Sequence, residues 1–205
     1  MPIKKQTHGK LFIISAPSGA GKSTLCSMMI NKYPELMYSV SYTTRAPRGS
    51  EQHGVDYFFV SKDEFAKMIT ENEFIEWAEV HGNYYGTSAK YVNSMLSQGK
   101  DVFLDIDPQG ALQLKNKLQN AIFIFITAPS LNELKTRLIN RGTDRIDVIE
   151  NRLINAKKEV QYFSDYDYLI INDESDKAFA DMEAIYRAEK LRTTYFKNVL
   201  DFMDI

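Results

Sequence analysis

The chain has 205 residues, 44% of them hydrophobic and 25% charged. These proportions supply a core and exclude a chain disordered throughout. Twenty-five Lys and Arg against 27 Asp and Glu leave a formal charge of −2, which excludes a surface that coats a polyanion by bulk charge but leaves room for a local cationic site. The single cysteine, Cys26, excludes an intramolecular disulfide framework, points to a reducing compartment and is expected to be a small buried hydrophobe.

Residues 11–15 (LFIIS) form a short apolar, β-prone run that ends in a Pro/Gly loop, the pattern of a fully buried strand. The run is too short for a secretory h-region of about 7–15 apolar residues or a membrane span of about 20. A cytoplasmic chain without a membrane partner is expected. After the loop, Leu25, Met28 and Met29 recur at helical spacing, so a helix begins near Lys22. A mixed stretch follows at about 42–95. It contains strands over 57–60 and 74–80 and a helix over 61–70, with Ser61 and Glu64 as a capping box and Phe65, Met68 and Ile69 facing inward. Further buried strands are predicted over 102–106, 121–127 and 168–171, with a helix after the first. Ser130 with Glu133 caps another helix that carries Leu131, Leu134 and Leu138. The segment around 137–158 is rich in Arg and acidic residues and reads as a mobile, solvated excursion. A last helix is predicted over 178–192. Apolar strands that alternate with helices predict an α/β fold with a parallel sheet covered on both faces, interrupted by a small mixed insert.

The strongest local signal is residues 16–23 (APSGAGKS), which match the phosphate-binding loop G-x-x-x-x-G-K-[ST] except that Ala16 replaces the first glycine. Gly19 and Gly21 let backbone N–H groups converge on phosphate oxygens, and the following helix start adds a partial positive charge. Lys22 can reach the β- and γ-phosphates of ATP, and the Ser23 hydroxyl can ligate Mg²⁺. This loop alone fits ATPases, GTPases and small-molecule kinases. The Asn-Lys-x-Asp element of GTPases is absent from the sequence.

Residues 41–48 (SYTTRAPR) place Arg45 and Arg48 three residues apart beside hydroxyls. Arginine forks bind phosphate oxygens bidentately, although the same residues would suit a solvated loop. Tyr57, Tyr85 and Thr87 can complete a polar shell. Glu76, on an otherwise apolar strand, could accept from the N1–H and N2–H₂ of a guanine, or pair with a lysine at a rim. His8, His53 and His81 have no metal-ligand spacing and read as surface or loop residues.

Taken together, the runs APSGAGKST, SYTTRAPR, GVDYFFV, EFIEWAEVHGNYYGTS, LDIDPQG and RLINRGTD, in this order from residue 11 to about 172, resemble the guanylate kinases of the nucleoside monophosphate kinase group. The resemblance implies Mg²⁺-dependent transfer of the ATP γ-phosphoryl group to GMP or dGMP, with no nucleic-acid polymer as partner, and leaves a homo-oligomer open. It implies a core over 1–41, 98–131 and 160–205, a GMP-binding insert over 42–97, and a helical lid over 132–159. By motif, residues Ala16, Pro17, Ser18, Gly19, Ala20, Gly21, Lys22, Ser23 and Thr24 would bind ATP, with Asn172 near the adenine and Ser23 on the metal. Ser41, Arg45, Arg48, Tyr57 and Tyr85 would hold the GMP phosphate. Glu76 and Thr87 would read guanine, with Asp107 close by. Lys22, Arg45 and the lid arginines Arg137, Arg141 and Arg152 would act on the transferring group. Two departures stand out: Arg145 interrupts the acidic run expected after the RGT element, and Tyr42 replaces a smaller residue.

In-line transfer needs no catalytic base here. The second pKa of a phosphate monoester is about 6, so the acceptor is already anionic. Positioning and charge neutralisation then carry the rate, which predicts a locally basic cleft. Two rival readings remain at this stage. One is a phosphopeptide-binding module that has lost catalysis, against which the intact Lys22 and Ser23 argue. The other is a kinase for AMP, UMP or another acceptor, against which Glu76 and Thr87 argue.

Overall fold

The computed structural model describes residues 8–80, 82–142 and 145–193. In chain order the elements are β1 (Leu11–Ser15), α1 (Lys22–Lys32), β2 (Met37–Tyr38), β3 (Tyr42–Thr43), β4 (Phe58–Phe59), α2 (Lys62–Thr70), β5 (Phe74–Val80) and β6 (Asn83–Ser88). There follow α3 (Ala89–Ser97), β7 (Val102–Asp105), α4 (Pro108–Lys115), β8 (Ile122–Thr127), α5 (Leu131–Arg141), α6 (Ile146–Glu159), a 3₁₀ turn over Val160–Asp165, β9 (Tyr168–Ile171) and α7 (Ser175–Glu189).

Every residue of β1 is buried because it is the central strand of a five-stranded parallel sheet, ordered β2-β7-β1-β8-β9. Strand side chains alternate between faces, and two apolar layers result. Phe12 and Ile14 of β1, with Phe103, Ile122, Ile124 and Ile126, face Leu25, Cys26 and Met29 of α1 and Ala178, Met182 and Tyr186 of α7. Leu11 and Ile13, with Val102, Leu104 and Phe123, face Val92 and Leu96 of α3 and Ala111 and Leu114 of α4. This is the helix-covered parallel sheet expected from the apolar runs. Cys26 is buried at 1% exposure, and burial holds its thiol well above the ordinary range.

The stretch that breaks the rhythm folds as a second sheet, ordered β4-β3-β6-β5. Its strands β5 and β6 form an antiparallel pair, and α2 packs Phe65 against Phe74 and Tyr84. The predicted strand at 57–60 shrinks to Phe58–Phe59, and the last helix begins at Ser175 and ends at Glu189, not over 178–192. The described residues of the segment around 137–158 lie mostly in two helices, α5 and α6, which pack together, with Leu138, Ile149 and Ala156 buried, so the segment is not wholly solvated as its charges suggested. Ser130 caps α5 by accepting from Glu133 N–H at 3.1 Å, and Gly142 closes it in the left-handed conformation. Among the described residues no helix is long and apolar enough to cross a membrane.

Candidate active site

The carboxyl ends of β1 and β7 open into a cleft of about 680 Å³. Ligands of open α/β sheets bind at this end, where connections diverge to either side of a central strand. Chain geometry places the phosphate loop at its floor. Gly19 and Gly21 sit at φ of 88° and 93°, the left-handed region that side-chain-bearing residues avoid. A Cβ on Gly21 would lie 2.2 Å from the Asn172 amide nitrogen. Ala16, at the relaxed first position, is buried without strain of this kind.

Residues 16–24 all line the cleft. Lys22 is enclosed. Burial alone would lower its pKa, but its contact with Asp105 at the end of β7 reverses this and keeps the ammonium charged. Tyr38 donates to the other Asp105 oxygen at 3.2 Å. Asp105 was not singled out from the sequence. Its signal was available: an acid that ends an apolar strand, VFLD, next to the phosphate-loop strand.

Opposite the loop stand Ser41, Arg48 and Tyr57 from the segments flanking β3 and β4, Tyr85 from β6, and Glu76, Ala78 and Val80 from alternate positions of β5. Glu76 is only 5% exposed. The β5–β6 register sets Thr87 directly across from it, and Thr87 Oγ1 donates to Glu76 Oε1 at 2.6 Å. A bulge between Phe74 and Glu76 re-aims the strand there. Burial pushes the Glu76 pKa up to about 7, the Thr87 hydrogen bond opposes this, and Asp107 adds to it. Among the described residues no lysine pairs with it, so the rim alternative is not realised. Asp107 caps α4 through Gly110 N–H at 2.8 Å and also lines the cleft. Gly110 is a position the sequence reading passed over. A Cβ there would come within 2.5 Å of Glu76 Oε2, so glycine lets α4 approach the carboxylate.

The helix pair reaches the cleft from above. Arg137 of α5 donates to Glu133 at 2.8 Å, and Arg152 of α6 donates to Ser18 of the phosphate loop at 2.9 Å. Both line the cleft, as does Glu159 at the end of α6, whose carboxyl is raised by burial and by Asp107. Arg141 belongs to α5, but its side chain lies outside the described residues, as does His81. His8 and His53 are exposed.

Three expected site residues stand back from the cleft wall. Thr87 lies behind Glu76. Asn172, at 3% exposure, donates to the Ala20 carbonyl at 2.7 Å and so props the phosphate loop from beneath. Arg45 turns its guanidinium onto Glu51, at 2.9 and 3.0 Å. The expectation of a basic cleft also needs correction. Among the described lining residues, Lys22, Arg48, Arg137 and Arg152 meet Glu76, Asp105, Asp107 and Glu159 in equal number. Cations stand at the phosphate loop, the helix pair and the 41–57 wall, with Asp105 against Lys22 and Glu159 at the end of α6 among them.

Mg²⁺ fits this site by donor chemistry. Ser23 and Asp105 offer hard oxygen donors beside the phosphate loop. Among the described residues no cluster of three or more His, Cys, Asp or Glu could hold a metal.

Comparison with known proteins agrees with this geometry. A family model described as Guanylate kinase matches residues 8–189. The guanylate kinase of Shewanella violacea is 52% identical over 188 residues, covering 91% of each chain. That of Geobacter metallireducens is 50% identical over 186 residues, covering 91% of this chain and 92% of its own. The crystal structure of guanylate kinase from Anaplasma phagocytophilum superposes with a TM-score of 0.79 at 30% identity, covering 98% of this chain and 96% of that one. The phosphate loop, the opposed polar wall and these matches across most of the chain together establish that it belongs to the guanylate kinase family.

Proposed function

We propose a residue-level division of labour for the reaction of this kinase, which transfers the γ-phosphoryl group of ATP to GMP. The observation that carries it is Glu76, a buried carboxylate without a cationic partner among the described residues, facing the same cleft as the phosphate loop. A buried lone carboxylate is costly unless a ligand supplies donors. The adjacent N1–H and N2–H₂ of guanine supply two.

Residues 16–24 receive ATP, with backbone N–H groups and Lys22 on its phosphates, and Asn172 supports the loop. Ser23 and Asp105 would hold Mg²⁺, which when bound neutralises charge on the phosphates. Arg48, Ser41, Tyr57 and Tyr85 receive the GMP phosphate. Thr87 fixes the Glu76 carboxylate, and Asp107 stands beside it. Arg137, Arg141 and Arg152 come from the lid and surround the transferring group. The acceptor is already anionic, so positioning and charge carry the rate. The boundaries proposed are core 1–41, 98–131 and 160–205, insert 42–97, and lid 132–159. A lid that brings its arginines only onto a filled cleft also suppresses transfer to water.

A coupled assay with GMP, dGMP, AMP and UMP checks the base assignment. GMP and dGMP are expected to exceed AMP by at least about 100-fold in kcat/KM, because a site built to meet N–H donors rejects a base that lacks them. AMP matching GMP would sink the role of Glu76.

Gly110→Ala separates fit from stability. Alanine favours helix over glycine by about 1 kcal/mol, which offsets much of the cost of moving the Glu76 carboxylate off Thr87, so the variant is expected to melt within a few degrees of the wild type. Its methyl group displaces the Glu76 carboxylate, and KM for GMP is expected to rise roughly 10-fold, about the loss of one hydrogen bond to a charged group. An unchanged KM would show that the close approach is incidental.

A further inference from the structure

We propose that Glu159 is a specificity-determining residue for the acceptor nucleotide: its carboxylate receives the 2′- and 3′-hydroxyls of the ribose. This rests on the reading that Glu76 takes the base and the 41–57 wall takes the phosphate.

Glu159 is the last residue of α6, seven after Arg152. Two turns of helix bring both to one face, about 10 Å apart. Arg152 turns that face to the phosphate loop, where it donates to Ser18. Glu159 continues the face along the cleft, and it also lines an adjoining recess of about 220 Å³ with Val80, Asp107 and Tyr162. Ala156, one turn earlier, is buried in the core layer and anchors this end of the helix. Among the described residues no hydrogen bond or ion pair engages the Glu159 carboxylate.

This is a poor place for an unpaired acid. The end of a helix is the negative pole of its dipole. Burial and the neighbouring Asp107 both raise the Glu159 pKa, and only the Lys22 ammonium opposes them. A carboxylate that carries such a cost in the empty cleft gains when a ligand brings hydrogen-bond donors.

The charges that act on Glu159 place it along the acceptor. Asp107 acts also on Glu76, at the base end. Lys22 acts also on Tyr57, at the phosphate end. Glu159 lies within reach of both, and the part of a nucleotide that joins base to phosphate is the sugar. A ribose carries two neighbouring O–H donors on one side of its ring, a pair that the two oxygens of a carboxylate can accept. The guanine N–H groups are already met by Glu76, and an ionised phosphate has no donor to offer.

The test uses the full chain and measures kcat/KM for GMP, dGMP and AMP as acceptors, and for ATP and dATP as donors, in the wild type and Glu159→Ala. The wild type is expected to favour GMP over dGMP about 10-fold, the scale of one charge-assisted hydrogen bond. Glu159→Ala is expected to bring that ratio below about 2-fold, with GMP losing more than dGMP and the ATP-to-dATP ratio moving less than about 2-fold. No preference in the wild type would overturn the proposal, as would a preference that the alanine variant keeps. Equal loss on GMP and dGMP would overturn it too, because Glu159 would then act through the helix pair and not on the sugar. A shift in the ATP-to-dATP ratio in place of the GMP-to-dGMP ratio would seat the other substrate's ribose here and overturn it as well. Should the alanine variant not fold, Glu159→Gln, which keeps one acceptor but loses the charge, is read by the same ratio, expected to fall at least about 3-fold. The wild-type GMP-to-AMP ratio tells this failure from that of the reading beneath it. AMP matching GMP would take the base away from Glu76 and the sugar with it. A kept base preference with an unmoved GMP-to-dGMP ratio would remove only the role of Glu159.

Discussion

Lys22→Met is expected to lower turnover at least about 100-fold while the chain stays folded. Lys22 opens α1 from the phosphate loop, and its ammonium is enclosed against Asp105 in the floor of the cleft. Held there, it meets phosphate charge without reorganising. Removing one such preorganised donor costs roughly 3–4 kcal/mol of transition-state stabilisation, and each 1.4 kcal/mol is about tenfold in rate. The packing under the loop does not use this side chain. Ala20 and Leu25 on either side are buried in the core layer, so circular dichroism should be unchanged. The variant does leave Asp105 with Tyr38 as its one remaining hydrogen-bond donor among those described. An unpaired, partly buried carboxylate is destabilising, and the melting temperature is expected to fall modestly. Lys22→Met combined with Asp105→Asn should recover that temperature but none of the turnover. Near-wild-type turnover in the single variant would overturn the assignment of the loop.

Much of this site was legible because its signals are contiguous. The phosphate loop is a local backbone structure, and its glycines, lysine and serine follow one another. The strands β1, β7 and β8 of the core were legible because they are buried on both faces and read as unbroken apolar runs. The second sheet was harder. Its β3 and β4 have two residues each, as does the edge strand β2 of the first sheet, too few for any periodicity. The pairing of Glu76 with Thr87 depends on the β5–β6 register and on a bulge, neither of which the residues announce. Arg45 and Arg48 looked equivalent in sequence. Tertiary placement separates them, sending one onto Glu51 and the other into the cleft. The acid six residues after Arg45 was the available sign. α5 was announced by its Ser130 cap and leucines, whereas α6 carried less signal, because a helix that keeps few residues buried leaves a thin stripe among its charges.

The pH dependence of Glu76 provides the second large effect. Its carboxyl titrates at about 7 in the folded chain against an ordinary 4.5. Between those values the folded chain without ligand binds more protons than the unfolded chain. Its contribution to stability is therefore full below pH 4.5 and is lost as pH rises through 7. GMP reverses the sign. A guanine that donates two N–H groups stabilises the carboxylate, so binding releases a proton, and affinity for GMP is expected to rise between pH 6 and 8. Glu76→Gln removes both trends. The neutral amide offers one acceptor and turns an N–H₂ toward the N–H donors of the base. GMP affinity is expected to fall about 100-fold, near the value of one charge-assisted hydrogen bond, and to lose its dependence on pH across that window. At pH 8 the ligand-free variant is expected to melt at or above the wild type, since it no longer buries a charge. Thermal melts at pH 5.5 and 8 with and without GMP, and calorimetry in buffers of different ionisation enthalpy, measure both sides. A wild-type GMP affinity that falls from pH 6 to 8, or one that Glu76→Gln leaves intact, would place guanine elsewhere. The same group thus weakens the empty fold above pH 7 and selects the base that fills it, a local cost in stability of the kind functional sites carry.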